Sequence, residues 1–180
     1  MPERDWHALE TVLAAMPRSE FRARLRNELE QKEVTMSTVT SASVDDQKRA
    51  IDNWATHWSA HDMGRLLSLF TDDVVYEDVP MGVVNRGPAQ LRAFGEGIIS
   101  SFPDVTWELL SSFANGSSGG AEWVMRATHK GDLPGMPATG KHVEVRGASV
   151  FEFAGDKIRR CTDYWDMVTC LKQLGLMPSA

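Results

Sequence analysis

Apolar residues recur at helical spacing in the first half of the chain and alternate in the second half, and this change of period sets the predicted architecture. Ile51, Trp54 and Trp58 share one face of a helix predicted from about Asp45 to Ala60. After His61 and Asp62, a second apolar stripe of Met63, Leu66, Leu67 and Phe70 continues in helical register. The run Asp72 to Asp78 reads as a short strand with Val74, Tyr76 and Asp78 on one face, broken by Pro80-Met81-Gly82. Gly87-Pro88 opens a helix that turns Leu91, Phe94 and Ile98 inward, and Phe102-Pro103-Asp104 closes it. Four long strands follow, over 104–113, 121–130, 141–153 and 157–165. Val105, Trp107 and Leu109 share a face in the first, and Trp123, Met125 and Ala127 in the second. Consecutive strands of this length imply an antiparallel meander. Helices first and sheet second is the α+β pattern, with helices packed on one face of a curved sheet. The stretch 131–140, rich in Gly and Pro, is too irregular for a tight hairpin and reads as a pocket lip or lid.

Residues 5–33 carry two further helical patterns. Trp6, Leu9, Val12, Leu13 and Met16 mark the first; Phe21, Leu25 and Leu29 form a thin stripe in the second, which is heavily charged. Such a hairpin is expected either to be a tethered appendage or to clasp a second copy of the chain. The small polar run over 35–43 has linker character, so the domain boundary is placed there: a helical extension over 1–43 and the main domain over 44–180. Removing the extension is expected to leave a folded domain.

A chain of 180 residues can bury one good core. The net charge of −6 and the lack of a basic block exclude a phosphate-neutralising surface, so no nucleic-acid partner is expected. No apolar run reaches membrane-spanning length and no signal-peptide pattern opens the chain. The expectation is therefore a cytoplasmic protein without a membrane partner. Cys161 and Cys170 have no CxxC spacing and are read as reduced and structural. There is no internal repeat, phosphate-binding Gly loop, nucleophile elbow or metal-spaced His/Cys cluster, so neither metal nor cofactor is expected.

The chemistry concentrates near the C-terminus. After the turn Ala154-Gly155-Asp156, strict alternation puts Ile158, Arg160, Thr162, Tyr164 and Asp166 on one face and Arg159, Cys161, Asp163 and Trp165 on the other. An aspartate among cysteine and tryptophan is poorly solvated, which raises its pKa towards the range of a general acid or base. Asp166 reads either as the N-cap of a short helix ended by Gly175 or as a second catalytic carboxylate. Tyr76 and Asp78 could hold a substrate hydroxyl or carbonyl, and Trp58 could form a pocket wall. Alternation groups His129 with Trp123, Met125 and Ala127, and Arg126 with Thr128, so at most one of His129 and Arg126 can face inward without a bulge.

Several pieces together carry a resemblance: Trp58-Ser59-Ala60-His61-Asp62, Phe70-Thr71-Asp72-Asp73-Val74-Val75-Tyr76-Glu77-Asp78, Arg86-Gly87, Phe102-Pro103-Asp104, Thr128-His129-Lys130-Gly131, Pro137-Ala138-Thr139-Gly140-Lys141 and Gln173-Leu174-Gly175. Residues 45–178 resemble the SnoaL-like polyketide cyclases, within the superfamily that includes ketosteroid isomerases and limonene-epoxide hydrolases. The resemblance implies a cone-shaped α+β barrel, a curved and mainly antiparallel sheet wrapped around helices and enclosing a deep apolar cavity. It also implies a general acid or base aspartate on the last strand, a position that Asp163 or Asp166 could fill. Asp163 is similar in place to the aspartate of the epoxide hydrolases, where Tyr76 and Asp78 fall on a Tyr-x-Asn pair. Two departures stand out. Arg126-Ala127-Thr128 lacks the second carboxylate of the hydrolases' Arg-x-Asp pair, and Phe151-Glu152-Phe153 lacks the cyclases' histidine, leaving His129 as the available imidazole. The expected activity is cofactor-independent acid–base catalysis on a small apolar or polyketide-like ligand, of cyclase or isomerase type. The alternatives are water activation of the epoxide-hydrolase kind and a non-catalytic module that binds a small molecule or a protein. Expected catalytic residues are Asp163, Asp166 and His129; expected substrate contacts are Tyr76, Asp78, Arg126, Trp58 and Trp165. A homodimer through the outer face of the sheet is also expected.

Overall fold

The computed structural model describes residues 44–133 and 136–177. The helical hairpin expected over 5–33 and the linker after it lie outside the described residues. Helix α1 covers 44–59 and α2 covers Met63–Ser68. Strands β1 (Phe70–Asp78) and β2 (Val83–Arg86) follow, then α3 (Gly87–Ser101), the four strands β3 (Thr106–Ala114), β4 (Ser118–Thr128), β5 (His142–Ala154) and β6 (Lys157–Trp165), and finally α4 (Met167–Leu174). The helix ends follow from local chemistry. The Asp62 carboxylate accepts the Arg65 N–H at 2.9 Å to cap α2, and Pro88 sits in the first turn of α3. Gly175 closes α4 at φ 74°, a left-handed conformation that costs glycine little. Among the described residues no helix is long and apolar enough to cross a membrane.

The sheet has six strands in the order β2-β1-β6-β5-β4-β3, antiparallel throughout except where β1 runs parallel to β6. It is an α+β fold with a curled sheet that does not close, since β2 and β3 remain as edges. The parallel pairing matters for function, because it puts Tyr76 beside Cys161 and Asp78 beside Asp163. The core lies between the inner face of the sheet and the helices. Ile51, Trp54 and Trp58 of α1 and Leu66 of α2 pack there on Val74, Tyr76, Trp123 and Phe151. A second apolar cluster, with Phe102, Val105, Val143 and Val145, joins the end of α3 to α4.

Two sequence expectations are corrected here. Phe70 is the first residue of β1 rather than the end of a helix; α2 stops at Ser68, and Phe70 is buried against Tyr76 at a ring separation of 6.0 Å. Ile158 does not share a face with Arg160. The pairing of β5 with β6 shifts between Glu152 and Phe153, so Arg159 is the extra residue of a bulge. Ile158 thereby turns into the core together with Cys161. Beyond the bulge Cys161 and Asp163 are buried and Tyr164 is exposed, as alternation reads them, but Thr162 of the other face is buried as well.

Candidate functional site

A cavity of about 460 Å³ opens between the inner face of the sheet, α3 and α4. Its walls are almost entirely apolar, with Trp58, Phe94, Trp107 and Trp165 among the rings that line them. Leu133 and Met136 reach it from the loop after β4, in accord with the reading of 131–140 as a lip. Three groups supply most of its polarity: Tyr76, Asp78 and Asp163, all from the two strands that run parallel.

Asp163 is 7% exposed. Its Oδ2 accepts the Tyr76 hydroxyl at 2.5 Å, and its Oδ1 accepts the Ser149 hydroxyl at 2.6 Å and the Cys161 thiol at 3.4 Å. Ser149 is directed in turn by the Trp123 indole N–H, which donates to its Oγ at 2.9 Å. Burial is the largest influence on this carboxyl and pushes it up to about 6; hydrogen bonds from Ser149 and Tyr76 oppose the rise, and the Asp78 charge adds to it. Burial also raises Tyr76 well above the usual phenol value, and the Asp163 charge adds to that, so Tyr76 stays protonated and remains a donor. The Cys161 thiol is likewise raised by burial and then by Asp163, which makes it a packing group rather than a nucleophile.

Asp78 faces the same cavity. The Trp165 indole N–H lies 3.1 and 3.0 Å from its two oxygens, and the Met81 amide donates to Oδ1 at 2.9 Å. Burial raises its pKa, while the bonds from Met81 and Trp165 act in the other direction. Trp58 lines the cavity, with its ring centroid 5.0 Å from that of Trp107 and 6.4 Å from that of Tyr76.

The other three candidate residues are placed elsewhere. Arg126 points to the outer face, where its guanidinium bonds Glu108 at 2.6 Å and Glu144 at 2.7 Å. The alternation of β4 gives the inner face to Trp123, Met125 and Ala127 instead. His129 follows the last residue of β4 and is fully buried, but it does not line the cavity. Its ring stacks on Phe102 at 5.0 Å, and its Nδ1 accepts the Thr139 N–H at 3.3 Å, so it fixes the loop. Asp166 is exposed and caps α4, accepting the Thr169 N–H at 2.9 Å and the Thr169 hydroxyl at 2.6 Å. Those bonds hold its carboxyl below the usual range.

Sequence reasoning missed Ser149 and Trp123 as supports of Asp163. The signal was available: alternation along β5 puts Ser149 between Gly147 and Phe151 on a face otherwise apolar, and a buried serine there needs a partner. Among the described residues no group of three or more His, Cys, Asp or Glu side chains is arranged to hold a metal ion.

The sequence pattern of the SnoaL-like polyketide cyclases matches residues 48–174, and the chain belongs to that family. Solved structures agree in fold. AclR, a candidate hydroxylase from Streptomyces galilaeus, is 22% identical, with 76% of this chain and 89% of that chain covered at a TM-score of 0.66. A candidate SnoaL-like polyketide cyclase from Jannaschia sp. CCS1 is 15% identical, with 75% and 95% covered at 0.68. A hypothetical protein with a ketosteroid-isomerase-like fold from Catenulispora acidiphila, in complex with trimethylamine, is 22% identical, with 72% and 93% covered at 0.64. No curated protein matches the sequence. At these identities the likenesses fix the fold and nothing finer.

Proposed function

We propose that this protein is a cofactor-independent acid–base enzyme of cyclase or isomerase type, in which Asp163 removes a proton from a carbon next to a carbonyl. The observation that carries the reading is a carboxyl buried in an apolar cavity, raised to about 6 and fixed by neutral donors on both oxygens. Near neutral pH such a group is ionised yet basic enough to accept a carbon-bound proton. As the proton passes to Asp163, negative charge moves from the carboxylate to the carbonyl oxygen. The Tyr76 hydroxyl, which donates to the carboxylate in the free protein, is then released to donate to the enolate. A donor fixed in a dry pocket stabilises that charge far more than water does. The enolate carbon next attacks a second carbonyl of the same ligand, closing a ring, or is reprotonated at another position; in either case Asp163 returns its proton. Tyr76 takes the stabilising role, because His129 is turned to the loop and lies away from the cavity.

The test is proton exchange. A cyclic ketone probe such as 2-tetralone, followed by NMR in D2O, is expected to exchange its α-protons faster with the protein, and Asp163→Asn is expected to remove the acceleration. Exchange that survives in Asp163→Asn would overturn the assignment. Water activation of the epoxide-hydrolase kind has less support, since Arg126 is engaged on the outer face with Glu108 and Glu144.

The same proposal includes a homodimer through the outer face of the sheet. Leu110, Val150 and Tyr164, each 46–50% exposed, are its support. Sedimentation showing a monomer at micromolar concentration would remove it.

A further inference from the structure

Tyr76, Ser149, Cys161, Trp165 and the Met81 amide satisfy the two cavity carboxylates by hydrogen bonding, but every one of these donors is neutral. No Lys, Arg or His side chain is among the described residues lining the cavity. The ion pairs of the described residues all lie elsewhere, including that of Arg160, two residues before Thr162 on β6, which is turned to Glu77. Asp78 and Asp163 are paired positions on neighbouring strands and both project into the same apolar space. Two like charges buried together without a counter-ion are costly, and the cost disappears when a cation enters. The remainder of the wall suits such a guest, since Trp58, Phe94, Trp107 and Trp165 line the cavity and the faces of aromatic rings attract cations.

Resting on the reading of Asp163 as the cavity's acid–base group, we propose that the natural ligand carries a positively charged nitrogen, for which Asp78 is the counter-ion, and that carboxylate-bearing ligands are rejected. The division of labour follows from position. Asp163 has Tyr76 beside it to serve a carbonyl, whereas Asp78 is held by Trp165, whose ring also lines the cavity. The substrate class is therefore a carbonyl compound bearing an amine or quaternary ammonium group.

The full chain titrated at pH 8, with intrinsic tryptophan fluorescence as readout, tests this with three probes. These are phenyltrimethylammonium, tert-butylbenzene, which has the same shape without the charge, and benzoate. The cation is expected to bind at least about tenfold tighter than tert-butylbenzene, and benzoate weakest of the three. Asp78→Asn should cancel the preference for the cation and leave tert-butylbenzene within about twofold, which also shows that the variant is folded. If Asp78→Asn loses tert-butylbenzene as well, Asp163→Asn gives the second reading, because removing either charge must reduce the preference. The proposal is overturned if the cation fails to bind at about 10 mM, if tert-butylbenzene or benzoate binds as tightly, or if a folded Asp78→Asn keeps the preference. Asp163-dependent exchange of 2-tetralone without a preference for the cation would sink this inference alone. A preference for the cation with no such exchange would sink the acid–base reading alone.

Discussion

Asp163, near the end of β6, and Asp166, the cap of α4, stand three residues apart, yet they meet different surroundings. Asp163 is buried in an apolar wall, bonded by hydroxyls, and raised to about 6. Asp166 is exposed, bonded by the first turn of a helix, and lowered. The two faces of the sheet repeat the contrast on a larger scale. The inner face carries two carboxylates whose hydrogen-bond donors are all neutral, while the outer face carries exposed pairs such as Arg126 with Glu108 and Glu144, and Arg159 with Glu152. Exposed pairs of this kind contribute little to stability. Residue type does not assign chemistry here; the face of the strand does, because burial decides which carboxyl is a usable base near neutral pH.

The strongest way to break this comparison is to remove the ionisable group from the inner position. Asp163→Asn keeps the shape and is expected to lower turnover, or α-proton exchange of a ketone probe, by roughly two or more orders of magnitude, the usual scale of general acid–base catalysis. Its thermal stability at pH 8 should be unchanged or slightly raised, since a desolvated charge is lost. Full activity in this variant would place the base elsewhere.

The contrast was partly legible in the sequence. The face shared by Cys161, Asp163 and Trp165 follows from alternation alone, as does the face shared by Val74, Tyr76 and Asp78. What alternation could not show is that β1 and β6 run side by side and parallel, which brings Tyr76 to Asp163 across 87 residues of chain. The bulge at Arg159 was equally hidden. It inserts one residue without any Gly or Pro to announce it, and so reverses the side on which Ile158 lies. Alternation grouped His129 with Trp123, Met125 and Ala127 without saying how far the cavity reaches along that face: His129 is fully buried, but its ring stacks on Phe102 of the cavity wall and does not itself line the cavity.

The burial of Asp163 also predicts a pH dependence. Its carboxyl titrates near 6 in the folded state and near its ordinary 3.8 in the unfolded chain, so between these values the native state holds more protons. Stability is therefore favoured below about pH 4 and declines as pH rises towards 6, by on the order of 3 kcal/mol for this one group. Denaturant unfolding of wild type and Asp163→Asn at pH 4, 5, 6 and 7 checks the sign: the decline should be steeper in wild type. Parallel curves would mean that Asp163 is better solvated than its surroundings imply.

A smaller effect sharpens the comparison from the supporting shell. A Cβ added at Gly147 would lie 2.3 Å from the Trp123 ring, whose indole N–H orients Ser149 towards Asp163. Gly147→Ala is expected to destabilise by about 1–3 kcal/mol through overpacking. Because it displaces the donor behind Ser149, it should also shift the midpoint of the pH–rate profile. A loss of stability with the profile unmoved would show that Trp123 packs the wall without setting the carboxyl.

The smallest effect is expected at Asp166, and it decides whether environment or mere nearness to the site assigns the role. Both of its carboxylate oxygens are engaged with Thr169, at 2.9 Å to the amide and 2.6 Å to the hydroxyl, and the group faces solvent. A carboxylate held in this way is a weak base, since the donors that cap the helix also stabilise its charged form. Asparagine keeps the side-chain oxygen that accepts the Thr169 N–H, and it caps helices about as well as aspartate. Asp166→Asn should therefore leave the melting temperature unchanged within error and keep ketone exchange within about twofold of wild type. If instead this variant abolished exchange while Asp163→Asn retained it, the reacting carboxylate would be at the start of α4, and the buried Tyr76–Asp163 pair would be a structural strut of the sheet.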